Sequence, residues 1–64
     1  MSQWYEVKWH RTLAHPKSDY DRKVIEHGKT GAWGNNEQDA INWVIACVSN
    51  AGDWNVFVEE VPQK

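Results

Sequence analysis

The stretch that decides the fold is residues 35–52, NNEQDAINWVIACVSNAG. Asn35 or Asn36 can cap the start of a helix, and the spacing from Asn35 to Gln38 matches a capping box. Gly52 can adopt the left-handed conformation that ends a helix. Between these signals, apolar residues recur at helical spacing on one face: Ala40, Ile41, Val44, Cys47 and Val48. The stretch therefore predicts an amphipathic helix that needs an apolar sheet to cover.

Three strands are predicted around this helix. Residues 3–13 alternate between two faces with aromatic and β-branched side chains, which is typical of a half-buried strand. Residues 22–30 form a weaker second strand, and its two lysines mark it as a sheet edge. Residues 54–61 alternate again and form a third strand, which Pro62 ends. The order along the chain is therefore strand, strand, helix, strand.

The connections between these elements set the predicted topology. Residues 14–21 are expected to form a loop, and residues 31–34 a turn with a glycine at each end. A right-handed crossover makes the third strand parallel to the second and antiparallel to the first. The prediction is a single small α+β domain over residues 1–64. It has a three-stranded antiparallel sheet in the order 2-1-3, with one helix packed on one face.

The helix is expected to bury one sheet face. The inward residues of the strands and the apolar helix positions form the predicted core: Tyr5, Val7, Trp9, Val24, Ile41, Val44, Cys47, Val48, Trp54, Val56 and Val58. A chain of 64 residues buries only ~60% of its unfolded surface. The tryptophans of this core are therefore interpreted mainly as a means of stabilising a small domain.

Composition limits the classes of function. The net charge is −2 and the pI is about 5.8, whereas a dedicated nucleic-acid binder is usually basic. Cys47 is the single cysteine, so an intramolecular disulfide framework of the kind found in small secreted domains is excluded. No secretory signal or long apolar run is evident in the sequence. We expect an intracellular, cytoplasmic protein with no membrane partner.

No motif for catalysis or cofactor binding is evident. Zinc ligands could come from His10, His15, His27 and Cys47, but their spacing matches no compact metal motif. Cys47 is predicted to be buried, and a buried thiol is inert. Residues 28–31 lack the spacing of a phosphate-binding loop. The sequence therefore predicts that the protein is not an enzyme and holds no cofactor and no metal.

The sheet face away from the helix is the candidate binding surface. Trp4, Ile25 and Phe57 are expected to cluster there as an exposed apolar patch, which on a small protein suggests a partner site. Tryptophan is also enriched among the residues that dominate binding energy. Polar and charged residues surround this patch. The predicted partner-binding residues are Trp4, Lys8, His10, Phe57, Glu59 and Glu60.

The layout resembles that of small phage-encoded proteins that inhibit host machinery, such as the T7-type bacterial RNA polymerase inhibitors. The resemblance rests on the acidic helix start at residues 36–40, the stop at residues 51–52 and the closing strand that ends at residues 61–62. It implies a compact protein that occupies a surface of a larger one, in host transcription or defence machinery. That family carries arginines on its last strand, where this chain has Glu59 and Glu60.

The leading hypothesis is a small protein-binding module that inhibits or regulates a larger host enzyme by occluding its surface. Trp4 and Phe57 would be the apolar anchors, Lys8 and His10 would add polar contacts, and the two C-terminal glutamates would form an acidic rim. Two alternatives stay open. One is a single-stranded nucleic-acid binder that uses the exposed aromatic side chains, and the other is a homodimer that pairs through this face or through a strand edge.

Overall fold

A computed structural model describes residues 2–61 of the chain. Its elements are β1 (Gln3–Leu13), α1 (Asp19–Arg22), β2 (Ile25–Gly34), α2 (Glu37–Val48) and β3 (Trp54–Glu60). The strands form one antiparallel sheet in the order β2-β1-β3. α2 packs against all three strands. The predicted fold class, strand order and helix position are confirmed. Among the described residues, no helix has the length and apolarity that a membrane crossing requires.

β1 is the central strand and has the predicted bounds. Its alternating side chains send Tyr5 and Val7 into the core, where they are 4% and 0% exposed. β1 pairs with β2 in one continuous register from Gln3 opposite Gly34 to Thr12 opposite Ile25. Its pairing with β3 shifts register between Lys8 and Trp9. The long β1–β2 ladder therefore sets the length of the molecule.

The bounds predicted for the second strand are wrong. The sequence predicted a strand over residues 22–30 and a turn over residues 31–34, whereas β2 runs from Ile25 to Gly34. Glycine interrupts the alternation in this region, and glycine in a strand interior usually weakens the strand. Pairing with β1 over ten positions compensates for this weakness.

Indole rings from β1 explain how β2 tolerates its glycines. The ring of Trp9 lies over Gly28, and the ring of Trp4 lies over Gly31, so that a Cβ at either glycine would overlap the ring. The Trp9 Nε1–H also donates a hydrogen bond of 3.0 Å to the Thr30 hydroxyl. An aromatic side chain that covers a glycine on a neighbouring strand stabilises the pairing.

The connection between β1 and β2 contains a short helix that was predicted as loop. Ser18 caps α1, because its hydroxyl accepts a hydrogen bond of 3.2 Å from the Asp21 N–H. Asp19 and Asp21 lie in the first turn and Arg22 in the last, as the helix dipole favours. The residues interpreted as turn-forming therefore form a cap and one helical turn.

The N-cap of α2 is Asn36. Its Oδ1 accepts a hydrogen bond of 2.9 Å from the Asp39 N–H. The capping box predicted between Asn35 and Gln38 is wrong, because the N-cap is Asn36 and the third residue after it is Asp39. The Gln38 Nε2–H donates a hydrogen bond to Asn42 Oδ1, one turn further along the helix. A single side-chain cap therefore begins the helix.

The left-handed stop predicted over residues 50–52 is confirmed, but α2 ends at Val48 with Ser49 as its C-cap, so the stop begins at Asn50 and not at Gly52. Asn50, Ala51 and Gly52 all have positive φ, at 49°, 57° and 92°. This run turns the chain back on itself, and the Trp54 N–H donates to the Ser49 carbonyl at 3.1 Å. β3 consequently begins two residues after the glycine. Pro62, which was predicted to end β3, lies outside the described residues, and β3 ends at Glu60.

The core lies between α2 and the inner face of the sheet. Its buried members are Tyr5, Val7, Ala32, Ala40, Val44 and Val48, and the partly buried residues against them are Trp9, Ile41, Val56, Val58 and Val61. Ala32 was missed because it was assigned to a turn. Val24 and Trp54, both predicted in the core, are only half-buried. Val24 precedes β2, and Trp54 lies under the Arg11 guanidinium.

The prediction that Cys47 is buried is wrong, and the thiol is exposed. The buried residues of α2 are one turn apart and form a stripe along the helix: Ala40, Val44 and Val48. Ile41, on one side of this stripe, is half-buried. Trp43, on the other side, is 54% exposed. The helix is therefore rolled slightly toward Ile41, and Cys47 falls outside the stripe.

Replacing Asn36 with alanine is expected to destabilise the fold by about 1 kcal/mol, because the Asp39 N–H loses its capping acceptor. Asn35→Ala, at the exposed neighbouring position, is the control and should leave stability within about 0.5 kcal/mol of the wild type. Urea unfolding followed by tryptophan fluorescence measures both. Equal losses in the two variants would contradict Asn36 as the cap.

Candidate functional site

The sheet face opposite α2, here called the outer face, is the candidate site. Alternation along the three strands places a mixed set of aromatic, charged and imidazole side chains on it: Trp4, Glu6, Lys8, His10, Ile25, His27, Lys29, Trp33, Asn55, Phe57 and Glu59. The register shift brings Glu60 opposite Lys8. With Glu60 included, the outer face contains all six predicted partner-binding residues.

One end of the outer face is an imidazole cluster of His10, His27, Phe57 and Glu59. The rings of His10 and Phe57 are stacked, with centroids 5.0 Å apart and an interplanar angle of 18°. The His10 and His27 rings lie 5.9 Å apart. The Glu59 carboxylate lies between them, with one oxygen 3.8 Å from His10 Nδ1 and the other 3.6 Å from His27 Nδ1. Both separations are longer than a hydrogen bond, so the carboxylate faces the two imidazoles without a direct bond to either.

The middle of the outer face carries two ion pairs. Lys8 Nζ lies 3.9 Å from a Glu60 oxygen, and Lys29 Nζ lies 3.3 Å from a Glu6 oxygen. Exposed pairs of this kind contribute little to stability. They do, however, neutralise both lysines of the outer face within the molecule. The central band is therefore polar without a strong field of one sign.

The other end of the outer face is a tryptophan pair, Trp4 and Trp33. Their ring centroids are 5.3 Å apart and the planes meet at 67°, an edge-to-face contact. Trp4 is 41% and Trp33 65% exposed. The Trp4 ring also packs over Gly31. The pair forms an exposed aromatic corner.

The expected single cluster of Trp4, Ile25 and Phe57 is wrong. Phe57 pairs with His10, which lies six residues along β1 from Trp4. At a strand rise of about 3.3 Å per residue, the two aromatic groups are about 20 Å apart. Ile25 is exposed at the far end of β2, opposite Thr12. The apolar parts of the outer face are therefore concentrated at its two ends.

Of the six predicted residues, the structure brings together five: Lys8, His10, Phe57, Glu59 and Glu60. The six predicted binding residues omit His27, Lys29 and Trp33, which β2 contributes to the outer face. Trp33 was missed because it was assigned to a turn. The contact between His27 and His10 could have been predicted only from the strand register, which sets the two residues opposite each other.

An open hollow of about 500 Å³ lies beside the imidazole cluster, lined by Lys8, His27, Gly28, Lys29 and Glu59. Its lining is polar and charged. Within residues 2–61, no three His, Cys, Asp or Glu side chains are arranged to hold a metal ion. Cys47 is on α2, in the other layer, and does not meet the histidines of the outer face.

The outer face has aromatic groups at both ends and paired charges between them. No protein-family model, curated protein or solved structure matches this chain. The geometry of the outer face and the physical chemistry of its side chains therefore carry the functional proposal.

Proposed function

We propose that the protein is a protein-binding module, an inhibitor or regulator that occludes a surface of a larger protein with its outer face. The observation that carries this proposal is the exposure of large apolar side chains on a full sheet face: Trp4 41%, Phe57 48%, Ile25 53% and Trp33 65%. A sheet face left to water is usually polar. Aromatic side chains concentrated on such a face are typical of interaction sites.

The charge pairing on the outer face favours a protein partner over nucleic acid. Phosphate binding draws its energy from lysine and arginine side chains that release counterions from the nucleic acid. Here Lys8 faces Glu60, Lys29 faces Glu6, and a carboxylate also faces both histidines. An oligonucleotide would have to displace these carboxylates or bring its phosphates close to them. A protein surface can instead align its own charges with the existing pairs.

The dimensions of the molecule suit steric occlusion. The molecule measures 45 × 20 × 12 Å, and its broad side is therefore comparable with the ~800 Å² that each partner buries in a standard interface. The tryptophan pair and Phe57 would act as two anchors about 20 Å apart. Lys8, Glu59 and Glu60 lie between or beside them, where charges mainly affect the association rate and specificity. The resemblance to phage-encoded inhibitors supports the same class of mechanism, with a partner in host transcription or defence machinery.

The test compares two double variants that each remove two exposed aromatic side chains. Trp4→Ser with Phe57→Ser changes the outer face at both ends. Trp43→Ser with Tyr20→Ser is the matched control, because these residues are 54% and 78% exposed and lie on α2 and α1. Proteins captured from a lysate by each immobilised form are quantified, and the enriched candidate is then purified for a binding titration. Outer-face substitution should weaken its binding at least about tenfold, as expected for loss of anchor residues.

Two outcomes would overturn the proposal. One is a partner whose affinity falls only with the α1–α2 control variant, and the other is the absence of any captured protein that depends on Trp4 and Phe57. A separate measurement tests binding of nucleic acid. Titration of a single-stranded oligonucleotide at low salt is expected to leave the tryptophan fluorescence unchanged. Saturable quenching that weakens with salt would instead assign the outer face to nucleic acid.

A further inference from the structure

β2 is a long strand edge that is open in the described part of the chain. It lies at one side of the sheet, with β1 as its neighbour, and its ten residues pair with β1 without a register shift. The outward side of such a strand presents a row of backbone donors and acceptors that can pair with another strand. Proteins normally protect these edges with short strands, bulges, proline or charges directed over the edge.

β3, the other edge, has several of these protections. It is seven residues long and ends in Glu59 and Glu60. Its pairing with β1 contains the register shift between Lys8 and Trp9. β2 has no proline, and its continuous ladder contrasts with that of β3. The two edges of the sheet are therefore built differently.

The charged side chains of β2 are drawn back over the sheet, away from the edge. Lys29 reaches Glu6 at 3.3 Å, and Glu26 accepts from Arg11 at 2.6 Å and 2.9 Å. Both partners belong to β1, the central strand. The lysine that the sequence marked as an edge protector is thus held over the outer face by an ion pair.

Aromatic rings extend to this edge on both faces. Gly28 and Gly31 carry no side chains, and the indoles of Trp9 and Trp4 cover them. Trp9 lies on the face covered by α2, whereas Trp4 lies on the outer face. An added strand would therefore find small residues beside it and apolar surface on either side.

We propose that β2 pairs antiparallel with β2 of a second copy of this chain, about a twofold axis that passes through Thr30. Directly opposite residues in an antiparallel pair share one face, so the axis must coincide with a residue. With the axis at Thr30, the opposed pairs are Thr30 with Thr30, Lys29 with Gly31, Gly28 with Ala32, His27 with Trp33, and Glu26 with Gly34. Each charged side chain faces a glycine, and the exposed His27 and Trp33 form two aromatic pairs.

Other registers fit less well. An axis at Lys29 would set two lysines opposite each other, which is destabilising. An axis at Gly28 would oppose His27 to Lys29 and would leave the exposed ring of Trp33 without a partner. The Thr30 register also uses β2 from Glu26 to Gly34, almost its full length. Of these three registers, the one with its axis at Thr30 opposes no like charges and gives both His27 and Trp33 an aromatic partner.

The helices are compatible with this arrangement. α2 begins beside Gly34. At its other end, the carbonyl of Val48 accepts a hydrogen bond from Arg11 of the central strand. The helix therefore leads from the end of β2 toward the middle of the sheet. Two three-stranded sheets would join into one continuous sheet, with both outer faces on the same side. The dimer would double the recognition surface, and it is independent of which partner that surface binds.

The test is the oligomeric state of the full chain. Sedimentation equilibrium at about 100 μM should give a dimer, because the population of an oligomer rises with protomer concentration.

Two variants then test the register at exposed positions. His27→Lys with Trp33→Lys sets like charges opposite each other twice, whereas His27→Lys with Trp33→Glu sets opposite charges at the same sites. Both remove the same two aromatic side chains, so they form a matched pair.

The opposite-charge variant should dimerise at least about tenfold more tightly than the like-charge variant. Circular dichroism and urea unfolding of each variant check that the monomer fold is retained. A wild-type chain that is monomeric at about 100 μM would overturn the proposal, and so would equal dimer dissociation constants for the two variants. Neither result would affect partner capture through Trp4 and Phe57, so failure here is distinguishable from failure of the proposed function.

Discussion

Replacing Gly34 with alanine is expected to destabilise the fold by about 2 to 3 kcal/mol, because the added methyl group has no room. A Cβ at Gly34 would lie 2.8 Å from the Ala40 backbone nitrogen and 3.0 Å from the Asn36 carbonyl oxygen. These are backbone atoms of the first turn of α2, so relief requires the helix to move off the sheet. Ala40 is fully buried, and moving its turn would open the core. A domain of this size has only about 3 to 5 kcal/mol of stability in total.

Gly31→Ala is the matched control. The Cβ at Gly31 would overlap only the Trp4 indole, which is the end of a side chain that is 41% exposed and can rotate away. The expected loss is less than about 1 kcal/mol. Urea unfolding, followed by tryptophan fluorescence and by circular dichroism of the helix, gives both free energies. If Gly31→Ala destabilises as much as Gly34→Ala, the tight approach of helix and sheet at Gly34 is not the cause.

Elements defined by local patterns were predicted well from the sequence. β1 has the predicted bounds because its alternation of aromatic and β-branched residues is continuous from Gln3 to Leu13. The helix stop over residues 50–52 was predictable because asparagine and glycine adopt the left-handed conformation more readily than other residues. The strand order followed from the handedness of crossovers and from the density of aromatic residues on the first strand. These features depend on neighbours in sequence or on chain connectivity.

Features defined by contacts distant in sequence were not predicted. β2 extends through its glycines to Gly34 with indole rings of β1 packed over them, and the sequence around Gly31 does not indicate that these distant rings lie there. The exposure of Cys47 depends on how far the helix rolls on the sheet, which the packing of Ile41 and its neighbours decides. Ala32 was missed for the same reason as Trp33, since both belong to the mispredicted end of β2.

The candidate site shows the same division. The alternation of β1 and β3 correctly placed His10, Phe57 and Glu59 on one face, and they are in contact. The distance from Trp4 to Phe57 could not be obtained from alternation, which assigns a face but not a position along the strand. The strand register supplies that position and pairs Trp4 with Trp33 instead. A surface with two separated anchors results, which suits a broad interface better than a compact pocket.

Arg11→Met is expected to destabilise the fold by about 2 to 3 kcal/mol, because one guanidinium joins four elements of the structure. Arg11 Nη1 donates a hydrogen bond of 2.8 Å to the Val48 carbonyl at the end of α2. Its Nε and Nη2 donate to Glu26 on β2 at 2.9 Å and 2.6 Å. The guanidinium also lies 4.2 Å from the Trp54 ring centroid and 5.5 Å from that of Trp9. Methionine retains the apolar stem, so the loss measures the charged head.

Two further variants separate the contributions of that head. Glu26→Gln removes only the ion pair, which is half-exposed, and should lower stability by less than about 1 kcal/mol. Arg11→Lys keeps the charge, but an ammonium group cannot bond Val48 and Glu26 at once as the planar guanidinium does. The stability that Arg11→Lys loses should therefore lie between the losses for Glu26→Gln and Arg11→Met.

Urea unfolding at low and high salt measures the stability of all three variants, and salt should reduce only the Glu26 contribution. A Glu26→Gln loss equal to that of Arg11→Met would assign the effect to the ion pair alone. The expected order assigns it to the helix carbonyl and the tryptophan ring, and it makes Arg11 the residue that ties the end of α2 to the sheet beneath it.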